Sequence, residues 1–113
     1  MAKDDVGQAR LDEIQKCYDQ CFENRMAVLS KCKTDDQRAE FMNCYADLRA
    51  LLTGIVADQL KSNNASVKAA HNDLIAVNKK IKSSLEGLQD IVAFLGLLSK
   101  AVSLASTIVA LGA

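Results

Sequence analysis

Ile91-Val92-Ala93-Phe94-Leu95-Gly96-Leu97-Leu98-Ser99-Lys100-Ala101-Val102-Ser103-Leu104-Ala105-Ser106-Thr107-Ile108-Val109-Ala110-Leu111-Gly112-Ala113 closes the chain with a single charge, Lys100, in 23 residues. Surface this apolar must be covered by the rest of the chain, by further copies of it, or by a bilayer. Which of the three applies decides the fold.

Upstream of this stretch the chain is amphipathic and charged. The 113 residues contain no proline, five glycines and 4% aromatics. That composition suits helices and argues against a sandwich or barrel, so an all-α protein with one structural domain is expected. The formal net charge is zero, which leaves no electrostatic footprint for nucleic acid. The first ten residues carry charge and lack an apolar run, so a cleavable signal is not expected. The expected location is cytoplasmic or membrane-associated.

Leu11, Ile14, Tyr18, Cys21, Phe22, Val28 and Leu29 recur at three- and four-residue steps and predict a first helix over about residues 5 to 32. Thr34, with Asp35, Asp36 and Gln37 behind it, reads as an N-cap. It opens a second helix to about residue 61, with Phe41, Tyr45, Leu48, Leu52, Ile55, Val56 and Leu60 on one face. Ser62-Asn63-Asn64 reads as a stop. Residues 1–62 are thus expected to form an amphipathic antiparallel hairpin, and residues 63–113 a long helix that carries the apolar segment.

A heptad supports the long helix. Leu74, Ile81, Leu88, Leu95, Val102 and Val109 lie at seven-residue steps, and Val77, Ile91, Leu98 and Ala105 fill the companion position, with Ser84 as the exception. Unbroken from 65 to 112, the helix would be roughly 72 Å long and would overshoot hairpin arms of about 40 Å. The alternative is a four-helix bundle with a break near Ser83–Gly87, where Ser83-x-x-Glu86 could cap a fourth helix over about 84 to 111 that folds back.

Within the apolar segment, Leu88, Ile91, Val92, Leu95, Leu98, Val102, Ala105 and Val109 are the expected membrane or oligomer interface. Ser99, Lys100, Ser103 and Thr107 form a polar stripe with small-residue spacing. On insertion scales Lys100 costs about 2.5 to 3.5 kcal/mol, against roughly 3 to 6 kcal/mol gained by ten apolar residues. Insertion of a lone helix is therefore marginal, and it improves if the stripe lines a lumen.

No catalytic, cofactor or metal site can be picked out. The spacing of Cys17, Cys21, Cys32 and Cys44 fits zinc poorly, although a Cys21–Cys44 disulfide is within geometric reach across the hairpin. His71 is the only histidine and has no second base or nucleophile beside it. Lys79, Lys80 and Lys82 cluster ahead of the apolar segment, where a solvated face and headgroup attraction both explain them. The expected function is non-enzymatic: self-association through the C-terminal helix, with membrane insertion or pore formation as one form of it. The alternative is a soluble bundle or adaptor subunit that buries this helix in its own core or against a larger partner protein.

Overall fold

The computed structural model describes residues 5–113, and all its regular structure is helical. In chain order the elements are α1 (Val6–Glu23), α2 (Arg25–Lys31), α3 (Asp35–Leu52), a 3-10 turn (Ala57–Leu60), α4 (Ala65–Leu85) and α5 (Ile91–Leu111).

Short polar residues set the helix starts. Asp5 accepts from the Gln8 amide at 2.9 Å and Thr34 from Gln37 at 3.1 Å. Asn64 accepts from Ser66 at 2.7 Å and Asp90 from Ala93 at 3.0 Å. Each satisfies an amide that the helix itself leaves unpaired.

The first two expected helices are shorter than their apolar periodicity suggested. The first is interrupted at Asn24, whose Nδ2 donates to the Gln20 carbonyl at 2.9 Å. Such side-chain bonds compete with the helical ladder. The second ends at Leu52 because Gly54 takes φ +77°, a left-handed conformation that closes helices at low steric cost.

The long helix from 65 to 112 is not formed. Helix α4 ends at Leu85, Gly87 takes φ +71°, and α5 begins at Ile91. The break is therefore the one anticipated near Ser83–Gly87, but Ser83 lies inside α4 and Asp90 is the cap. Folding back removes the overshoot: the molecule measures 44 × 23 × 22 Å.

The four long helices form a ring in the order α1, α3, α5, α4, with little contact across either diagonal. Helices α1 and α3 are antiparallel, as are α4 and α5. The segment 53–64 crosses one end of the bundle and brings α4 alongside α1, pointing the same way. That end is tied together by four contacts. The Arg10 guanidinium bonds the Leu60 and Ser62 carbonyls, and the Ser62 amide donates to Gly112 O at 2.7 Å. Gly7 packs against the Ala57 carbonyl, where a Cβ would clash.

The core runs between the helices through Ile14, Phe41, Leu48, Leu74, Ile81, Phe94, Leu98 and Ile108, all fully buried. Tyr18 and Tyr45 stack with centroids 5.3 Å apart, which holds α1 to α3. Phe41 and Phe94, 6.5 Å apart, join α3 to α5. Phe22 and Val56, expected on the buried stripes, are exposed instead: Phe22 lies at the end of α1 and Val56 in the connection beyond α3.

Candidate functional site

Helix α5 has two unlike faces. Inward, Ile91, Phe94, Leu98, Ala101, Ala105 and Ile108 fall at alternating three- and four-residue steps and are buried against α3 and α4. Outward, Val92, Ala93, Gly96, Ser99, Lys100, Ser103, Ser106 and Ala110 are exposed.

Of the expected interface, Leu88, Ile91, Leu95, Leu98 and Ala105 lie in the chain's own core. Val102 and Val109 are half-buried, and Val92 is 67% exposed. The heptad was right in one register and displaced in the other. Ile91, Leu98 and Ala105 do face inward and Leu95 is buried with them, but further along the helix the core positions are Ala101 and Ile108, one residue away from the half-buried Val102 and Val109. The five residues between α4 and α5 interrupt the supercoil that would have carried the upstream register through. The polar stripe of Ser99, Lys100 and Ser103 is exposed, with Thr107 half-buried at its edge. It is the outer face of a bundle helix.

Cys17, Cys21, Cys32 and Cys44 are all buried free thiols. A hydrogen bond with Cys17 and burial hold the Cys21 thiol well above its ordinary range. Burial, with nearby Glu40, Cys21 and Asp47, pushes Cys44 up to about 11. All four pack as small apolar groups, and Cys21, Cys32 and Cys44, whose pKa values are raised, stay protonated at neutral pH. Among the described residues no cluster of His, Cys, Asp and Glu is arranged to hold a metal ion.

Two clefts flank the contact between α1 and α4. The larger, about 620 Å³, is lined by Glu13, Lys16, Gln20 and Glu23 of α1 and by Asn78, Lys79 and Lys82 of α4. Beneath it, Asn78 Nδ2 donates to the Glu13 carbonyl at 2.9 Å and to its carboxylate at 2.8 Å, while Lys16 approaches Glu13 at 3.8 Å. Lysine and carboxylate alternate along its walls, which gives no preferred sign of ligand. Lys79, Lys80 and Lys82 are exposed on α4.

The smaller cleft, about 370 Å³, lies where α1 and α4 begin. His71 is half-buried in its wall. Burial and the Arg10 charge lower its pKa below 6.5, with Glu13 and a hydrogen bond to the Ala9 backbone opposing. Sequence spacing alone gives no sign that His71 is half-buried. The signal it lacked was Arg10, an ordinary helix-surface residue by spacing, which is in fact 1% exposed.

No protein-family model matches this chain, and no curated protein or solved structure matches it.

Proposed function

We propose that this protein is non-enzymatic and acts by association, pairing with a second copy of itself through the outward face of α5. The observation that carries this reading is the charge distribution on that helix. Its exposed surface is built from Val92, Ala93, Gly96, Ser99, Ser103, Ser106 and Ala110, with Lys100 the only charge along 21 residues. Interface centres are depleted in charge, and small side chains let two helices approach closely. A helix that had only to keep water on its outer face would carry several charged residues, as α1, α3 and α4 do.

Sedimentation velocity of the full chain tests this reading. A dimer is expected, with Ser99→Glu/Ser103→Glu monomeric and unchanged in far-UV circular dichroism. A wild-type monomer across the accessible concentration range refutes self-association, and the soluble-adaptor reading, with a different protein on this face, then takes its place.

A bilayer is the second reading, supported by α5 being long and apolar enough by length and composition to cross one. Phe94, Leu98, Ala101, Ala105 and Ile108 are fully buried in the bundle, so insertion requires the core to open about the Glu86–Asp90 connection. Co-sedimentation with anionic vesicles separates the two: the association reading expects protein in the supernatant, and the bilayer reading expects it in the pellet.

A further inference from the structure

Arg10 is the only buried cation among the described residues, and it has no ion-pair partner. It is 1% exposed, no carboxylate of the described residues lies within ion-pair distance, and Nε has no hydrogen-bond partner among them. Both of its bonds leave from Nη1, to the Leu60 carbonyl at 2.6 Å and the Ser62 carbonyl at 2.8 Å. A guanidinium has five N–H donors, and a buried charge is normally neutralised by an opposite one because desolvation costs several kcal/mol per ion. Two carbonyls hold this group in place without cancelling its charge.

The surroundings raise the positive potential further. Arg10 lines the 370 Å³ cleft together with Lys68, His71, Asn63, Asn72 and Asp5. The parallel helices α1 and α4 both begin here, so the positive ends of both dipoles face the same space. Among the described residues Asp5 is the single carboxylate in the lining, and its Oδ1 is engaged by the Gln8 amide. One turn along, Glu13 is engaged by Asn78 and Lys16. His71 stands in the same wall, half-buried beside Arg10.

We propose that this cleft binds a small oxyanion, the phosphate or carboxylate group of a small molecule, on Arg10, Lys68 and His71. Asn63 and Asn72 add neutral donors at the rim, where the rest of such a molecule would lie. The site is separate from the outward face of α5 and does not depend on association through it.

Because His71 is the only histidine, its imidazole carbon-bound protons report on the cleft without ambiguity. The full chain is titrated at constant pH with sodium phosphate, with sodium acetate, and with sodium chloride at matched ionic strength. Saturable movement of the His71 signals by phosphate or by acetate, and none by chloride, is expected. Comparison of the phosphate and acetate curves identifies which oxyanion the site prefers. Lys68→Ala, an exposed position that leaves the fold intact, should weaken the response about fivefold, and Lys79→Ala, in the other cleft, should leave it unchanged. Movement that tracks ionic strength alone, or that is identical in Lys68→Ala, overturns the proposal.

Discussion

The Arg10 guanidinium donates to the Leu60 carbonyl at 2.6 Å across 50 residues of sequence, and this bond fixes the crossing segment to the first helix. Leu60 is itself fully buried, so its carbonyl has no water to fall back on. Arg10→Met should therefore destabilise the fold by about 1–3 kcal/mol, the usual penalty for orphaning a buried polar group. Urea unfolding would measure it, and a loss within error of zero would mean that the carbonyls find other donors.

The two faces of α5 should respond oppositely to substitution. Leu98→Ala removes a fully buried side chain and should cost about 2–5 kcal/mol. Lys100→Leu, one helical step away on the exposed face, should alter stability by less than about 0.5 kcal/mol. Equal losses at both positions would show that α5 is rotated from the orientation described.

Glycines at the hinge and on the helix should also diverge. At Gly87, with φ +71° and open space around a built Cβ, alanine should cost about 1–2 kcal/mol purely through backbone strain. At Gly96, in mid-helix and equally uncrowded, alanine should stabilise by up to about 1 kcal/mol. Thermal melts of the two variants would test the pair.

The thiols should resist labelling while the chain is folded. Cys44 is held up at about 11, and burial raises Cys32 as well. A colorimetric disulfide reagent at neutral pH should react slowly with all four cysteines and rapidly once urea unfolds the protein. Fast native labelling of any one of them would place it at the surface.

Stability should fall as the solution becomes mildly acidic. The folded state keeps the His71 pKa below 6.5, so the unfolded chain binds the extra proton first. The contribution is fully present above pH 6.5 and is lost as pH drops toward the folded value. His71→Gln should flatten this part of the stability curve. An unchanged slope would assign the acid sensitivity to the carboxylates instead.

Much of the architecture is legible in residue order. The cap at Thr34, the stop at Ser62–Asn64, the hairpin of α1 and α3, and the apolar face carrying Ile91, Leu98 and Ala105 all follow from periodicity and turn chemistry. Gly54 and Gly87 mark real breaks that periodicity ran past, because a three- or four-residue recurrence often continues by chance through a short connection. The candidate sites were less legible. The exposure of Ser99, Lys100 and Ser103 depends on which neighbours cover α5, and the burial of Arg10 depends on a segment 50 residues away.

Residue order alone determined that the chain is helical, that it could not leave residues 91–113 bare to water on every side, and where its helices could begin. Short polar side chains and apolar spacing act locally, so these outcomes need no partner. Tertiary structure decided the rest: that Gly87 turns α5 back, that one face of the apolar helix becomes core while the other stays outside, and that Arg10 and His71 meet at one cleft. Those outcomes depend on long-range packing, in which burying Phe94, Leu98 and Ile108 against α3 and α4 outweighs extending a single helix into solvent.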